Sequence, residues 1–334
     1  MGRYILKRLL LLIPVLLGVL VVVFIVLRCF TTDPAAMMLG QHASTQQVEA
    51  LRVKLGLNKP LYVQFGTYLW QILHGDFGRS LMTKTPVLHE IGIRFPATIE
   101  LALFAITLAT IFGIVMGVVA AVKRNTIWDY FTMVGALLGV SMPIYWLGLL
   151  LIILFAVMLG WLPASGRIDI GLEPAHVTGL YLLDSIITKN WASFISALKH
   201  IILPGIALAS YSTAIIARMT RSTMLEVLPQ DYIRTARAKG LKESTVIYKH
   251  TLRNSLIPVV TVIGLQMGAL LGGAVLTETV FSWPGLGSRV VEAILAADYP
   301  MVQGSVIVIA VIFVIVNLIV DIIYSFLDPR IHYS

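Results

Sequence analysis

The chain has 334 residues, of which 58% are hydrophobic and 13% charged, against roughly 45–50% and about 25% in soluble domains. A soluble core cannot absorb that much apolar surface, and one cysteine excludes an internal disulfide framework. The surplus of 25 Lys and Arg over 17 Asp and Glu, a net charge of +8, fits basic residues retained on the cytoplasmic side of a membrane better than a nucleic-acid partner.

The first apolar run, 9–29, follows Arg3, Lys7 and Arg8. It is too long for a signal-peptide core and lacks a small-residue cleavage site before Thr31, Thr32 and Asp33, so it reads as an uncleaved anchor ending at Cys29. The long mixed segment 30–96 contains one amphipathic helix over 44–55, with a Ser start signal, helical spacing of Val48, Leu51 and Leu55, and Gly56 as stop. That helix either lies on the lipid surface or packs on the spans.

Further apolar runs cover 98–122, 131–159, 201–217, 256–276 and 301–327. Each is near the ~20 residues needed to cross a bilayer, which predicts an all-α integral membrane protein of six spans. An even count puts both termini on one side, with 123–124 and 218–256. That side then holds fourteen basic residues against five acids, while the other has ten of each. Both termini are therefore expected in the cytoplasm. The expected parts are an anchor with an extracytoplasmic subdomain (1–97), a five-helix core (98–328) carrying the loop 218–256, and a tail (329–334). The outer segment 161–200 has room for another helix.

Within the spans, Gly113 and Gly117, and Gly264, Gly268 and Gly272, recur every four residues. Such faces let helices approach closely, within this chain or against a partner. Pro143 should bend the long third run, and Ser141, Tyr145 and Trp146 beside it, with Gln266 on the fifth span, are candidates to line a pathway. Glu100 and Asp321 are the ionisable residues of the spans and lie near their ends. An ion-coupled carrier needs such groups nearer the midplane, so these two read as solvated or hydrogen-bonded helix ends.

No phosphate-binding loop, G-x-S-x-G, H-E-x-x-H or paired C-x-x-C is present, and His89-Glu90 is followed by Ile91, Gly92 and Ile93 without the second zinc histidine. No catalytic residue, metal ligand or bound cofactor is expected, which disfavours a membrane-embedded enzyme. The chemistry-bearing pattern lies in 218–256. There Asp231 is placed to cap a helix from Tyr232 to Lys239, Gly240 suits its C-terminal turn, and Ser244 can open a second short helix to about Asn254.

The stretch from Asp231 to Leu241, DYIRTARAKGL, resembles the cytoplasmic loop of bacterial ABC importer permeases, most narrowly the first permease subunit of the dipeptide, oligopeptide and nickel group. The opening RYILKRLLLLIPVLLGV, GDFGRS at Gly75 to Ser80, RFPATIEL at Arg94 to Leu101, LTETVFSWPGLGSRV at Leu276 to Val290 and the final DPRI resemble the same family. In its E-A-A-x3-G-x9-I-x-L-P pattern, Arg234, Thr235 and Ala236 take the E-A-A places and Gly240 the glycine. His250 and Leu252 follow, with Arg253 in place of proline.

The resemblance implies a type I ABC importer permease fold. The chain would be half of a translocation pathway for peptides or, in the same architecture, for glutathione, a nickel chelate or another small solute. It would pair with a homologous second permease, two cytoplasmic ATPase subunits that use ATP and Mg, and an extracytoplasmic solute-binding protein, in a bacterial inner membrane. Asp231, Tyr232, Arg234, Thr235, Ala236, Arg237, Gly240 and Leu241 would then form the ATPase-coupling loop. Glu278, Phe281 and Trp283, between the last two spans, would form either an outer gate or binding-protein contact, or an interfacial aromatic turn.

Overall fold

A computed structural model describes residues 2–29, 34–39, 44–54 and 56–327. The side chains of Arg3, Lys7, Arg8, Cys29 and Asp321, and the Asp328 to Ile331 segment, lie outside the described residues. Among the described residues the regular structure is helical apart from an antiparallel bridge between Arg79 and Pro86. In chain order the helices are α1 (Gly2–Cys29), α2 (Pro34–Leu39), α3 (Thr45–Lys54), α4 (Leu61–Leu73), α5 (Val87–Val122), α6 (Ile127–Ser141), α7 (Ile144–Leu151), α8 (Tyr181–Ile187), α9 (Trp191–Val227), α10 (Asp231–Ala238), α11 (Glu243–Thr245), α12 (Arg253–Val280), α13 (Leu286–Leu295) and α14 (Tyr299–Leu327). Wider π-helical turns extend α7 through Ile152–Met158 and join α11 to α12 through Val246–Leu252.

Five of the six apolar runs are helical throughout and the third is helical on both sides of a break, and most of the helices overrun their runs. Val87–Val122, Trp191–Val227, Glu243–Gly272 and Tyr299–Ile319 are each long and apolar enough to cross a membrane. A fifth candidate is the pair Ile127–Ser141 and Ile144–Met158, bent by 108°, and α1 contributes a shorter apolar stretch, Ile13–Val26. The overrun has a simple cause: hydropathy marks the part of a helix that suits lipid, whereas its hydrogen-bond ladder continues until something interrupts it. Pro96, Pro204 and Pro258 do not interrupt theirs. Pro143 does, because Met142 before it is extended (φ −89°, ψ 132°), the conformation that a following proline favours. The expected bend is thus a break.

Two compact units make up the chain: Met1–Phe95 with Leu286–Val314, and Pro96–Gly285 with Ile315–Ser334. In the first, Phe24 of α1 packs on Phe65 and Tyr68 of α4 with ring centroids 5.3 and 5.9 Å apart. Val87, Ile91, Leu286, Ala293, Met301 and Val302 form its apolar core, with Phe77 packed against them. The GDFGRS stretch serves that core. Asp76 accepts the Gly78 amide at 2.9 Å in a tight turn, and Asp298 accepts from the Ser80 hydroxyl and, at 2.9 Å, from the Leu81 amide. The buried Arg289 pairs with Glu90 at 2.7 Å. The start of α3 is a reciprocal capping box: Ser44 and Gln47 exchange amide-to-side-chain bonds of 3.0 and 3.3 Å, and Gly56 is left-handed at φ 70°. None of α3 is fully buried.

The second unit is organised around α9, against which α6, α7, α8 and α12 pack. Glycine permits the closest approaches. A Cβ at Gly113 would lie 2.7 Å from Ile216 Cβ, and one at Gly117 would lie 2.5 Å from Thr220 Cβ, so this glycine face packs within the chain. A Cβ at Gly272 would meet nothing within 4 Å.

Candidate functional site

The α9–α12 connection is shorter than the expected 218–256, because Arg218 and Arg221 belong to α9. Arg221 holds the buried Asp129 of α6 with two bonds of 2.8 Å. After α9 ends at Val227, α10 starts on the backbone: the Gln230 carbonyl accepts from Ile233 and Arg234 at 3.0 and 3.2 Å. Asp231 is therefore not the expected cap; Gln230 is, and no side chain caps it. One residue inside the helix, the Asp231 carboxylate still complements the N-terminal dipole and pairs with Arg234 at 2.7 Å. Both ends of that pair are exposed, so it contributes under ~1 kcal/mol.

Ile233 and Ala236, three apart on one face, are buried against Val246 and Val227, while Asp231, Tyr232, Arg234, Thr235 and Arg237 are exposed. The helix ends in a Schellman turn. The Gly240 amide donates to the Arg237 carbonyl at 2.9 Å and the Leu241 amide to the Ala236 carbonyl at 3.4 Å, the paired pattern that satisfies the last carbonyls of a helix. Gly240 has φ 76° and open space around its Cβ direction. What requires glycine here is the dihedral angle, not room.

Beyond the turn the structure departs from the expected second short helix. The chain runs from Glu243 through the π-helical turns into α12 without a break. Thr251 Oγ1 donates to the Val246 carbonyl five residues back at 3.0 Å, which suits the wider turns, and Arg253 begins α12 directly after them. Two further fastenings close the loop. Arg237 reaches across the glycine to donate to Glu243 with bonds of 2.7 and 3.2 Å, and these bonds to the Glu243 carboxylate hold the guanidinium pKa above its ordinary value. Asn254 Nδ2 donates to the Tyr232 hydroxyl at 2.9 Å. The loop is thereby braced to the end of α9 and the beginning of α12.

Ser141 ends α6, and Tyr145 and Trp146, 47% and 45% exposed, begin α7 on the other side of the break. Gln266 on α12 accepts from the buried Ser212 hydroxyl of α9 at 3.0 Å. Glu278, Phe281 and Trp283 are enclosed. Thr98 Oγ1 donates to Glu278 at 2.6 Å, Trp283 Nε1 donates to the Ala97 carbonyl at 3.0 Å, and Phe281 packs on Leu203 and Ala207.

Sequence reading missed the residues that organise the 161–190 segment. Buried Arg167 bonds Glu100 Oε2 through Nε at 3.0 Å and the Gly179 carbonyl through Nη2 at 2.7 Å, with the Tyr181 ring 3.7 Å from its guanidinium carbon. Glu100 is thus a hydrogen-bonded helix residue. Asp184 accepts from the Thr178 hydroxyl at 2.6 Å and from the amides of Val177, Thr178 and Gly179. Burial pushes its pKa up, but these bonds outweigh burial and hold it below the ordinary carboxylate value. The one available signal for Arg167 was a lone arginine amid acidic loop residues, with an acid in a span to receive it.

Comparison with known proteins gives three findings. Residues 113–333 match the family described as binding-protein-dependent transport system inner membrane component, and residues 1–102 match its N-terminal counterpart. The chain is 52% identical to the dipeptide transport system permease protein DppB of Alkalihalophilus pseudofirmus and 48% identical to the di/tripeptide transport system permease protein DppB of Pseudomonas aeruginosa, over the full length of each pair. Among solved structures it is similar to a chain of the inward-facing MetNI methionine ABC transporter, with a TM-score of 0.53 and 19% identity over 71% of this chain and 94% of that one.

Proposed function

We propose, for a chain that belongs to the family of binding-protein-dependent transport system inner membrane components, that it is a permease subunit forming half of the pathway of an ATP-driven importer of dipeptides and oligopeptides. Members of this family are multi-pass inner-membrane transport subunits without catalytic chemistry of their own. The peptide substrate rests on the full-length relatives named for dipeptide and di/tripeptide transport. The remaining path is completed by a homologous permease, a solute-binding protein outside, and two ATPases inside that bind ATP and Mg. Both termini are cytoplasmic in this reading.

One observation carries the coupling mechanism: α10 is closed by Gly240 and braced at once to α9 and α12. A helix held in that way cannot yield alone. When ATP draws the two ATPases together, an α10 seated in an ATPase cleft moves as a rigid body and carries the adjoining ends of α9 and α12 with it. Because α9 is the hub of its unit, displacement at its end tilts the helices packed on it, and the pathway alternates between its two openings. The exposed Tyr232, Arg234, Thr235 and Leu241 supply the cleft-facing surface.

Gly240→Val tests this directly. Forcing a β-branched residue to φ 76° adds strain of about 1–2 kcal/mol outside the apolar core, so membrane abundance should stay normal. Peptide uptake should be lost, together with stimulation of ATP hydrolysis by loaded binding protein. Wild-type uptake with wild-type stimulation would refute α10 as the transmission element.

A further inference from the structure

We propose that the turn joining α5 to α6 is a binding site for the headgroup of an anionic phospholipid. Position gives the first support. One apolar helix ends at Val122 and the next begins at Ile127, so residues 123–126 lie where two spans leave the hydrocarbon layer together. Charge gives the second. Lys123 and Arg124 are exposed, and among the described residues neither is paired with an acid, because the nearby carboxylate is already committed. Asp129 is buried, takes two bonds of 2.8 Å from Arg221, and accepts the Asn125 amide at 3.0 Å. That last bond fixes Asn125 in the left-handed region at φ 61° and gives the turn one shape.

The third support is apolar. Trp128 and Tyr130, 58% and 61% exposed, stand with exposed Ile127 and Phe131 in the first turns of α6. Amphipathic rings settle at the headgroup level of a bilayer, and cations beside them attract anionic lipid. A zwitterionic lipid would satisfy the rings but add no net counter-charge for Lys123 and Arg124, the latter reached only by the field of an Asp129 already bonded to Arg221. A lipid with a net negative phosphodiester satisfies both, whichever solute the protein carries.

The test uses the assembled importer in nanodiscs, reading Trp128 fluorescence as the difference from a Trp128→Phe complex. Brominated phosphatidylglycerol, titrated into phosphatidylcholine, should half-quench Trp128 at a mole fraction roughly tenfold lower than brominated phosphatidylcholine does. The Lys123→Gln/Arg124→Gln variant should bring the two curves together. Native mass spectrometry gives a readout independent of Trp128→Phe: the unmutated complex should retain phosphatidylglycerol that the double variant loses. Coincident curves for the unmutated complex, or curves and lipid retention unchanged in the double variant, would overturn the proposal. Shielding of Trp128 from both lipids would overturn it in favour of a protein seated on the patch.

Discussion

At the scale of single residues, Asp184 is the clearest case of a side chain whose charge builds structure. Its folded pKa lies below the ordinary value of 3.8, so the carboxylate stabilises the 161–190 segment fully above that value. This contribution is lost only as the pH falls through the lower folded pKa. Asp184→Asn should therefore cost about 1.5–3 kcal/mol locally at neutral pH. Hydrogen exchange at the Val177, Thr178 and Gly179 amides should accelerate at least tenfold. The difference from wild type should stay constant from pH 8 to pH 5 and shrink below pH 4; a difference that grows on acidification would contradict it. Gly240 was legible in the sequence because a helix that must turn left-handed leaves a glycine behind. Asp231 was misplaced by one residue because backbone carbonyls started the helix without a side-chain cap. Arg167 was missed because its partner Glu100 is 67 residues away; a lone arginine in an acidic loop hints at a pairing, but no local pattern names the partner.

At the scale of helices, apolar periodicity located every run but not its ends. α9 has 37 residues, or ~55 Å at 1.5 Å per residue, against ~30 Å of hydrocarbon, so much of it is helix that hydropathy does not mark. α4 was missed although Pro60 precedes it and Leu61, Phe65, Tyr68 and Ile72 share a helical spacing; the charged residues around it hid it in a mixed segment. The glycine spacing was legible, while its partner was not. Gly117→Ala would place a Cβ 2.7 Å from the Ala217 carbonyl oxygen, and a backbone atom cannot rotate away. The helices α5 and α9 must separate, at about 1–3 kcal/mol. The purified complex should melt several degrees lower, whereas Gly272→Ala, which meets nothing within the chain, should not alter the fold of this subunit. A Gly117→Ala complex as stable as its parent would show that the two helices do not depend on this contact.

At the scale of the molecule, the uneven spread of basic residues predicts the membrane orientation proposed above. Single cysteines at Thr45, Asn125, Asn190 and Ser244, introduced after Cys29→Ala removes the one native thiol, can be probed with an impermeant thiol reagent in intact cells. Positions 45 and 190 should label, and positions 125 and 244 should not; the reverse pattern would invert the topology. The most direct measurement of whether this chain is a transport subunit driven by separate motors is labelled dipeptide uptake into proteoliposomes. The complete importer, with binding protein on one face and ATP on the face of α10, should accumulate peptide, and this chain alone should accumulate none under proton or sodium gradients. Gradient-driven uptake by the chain alone would contradict that assignment.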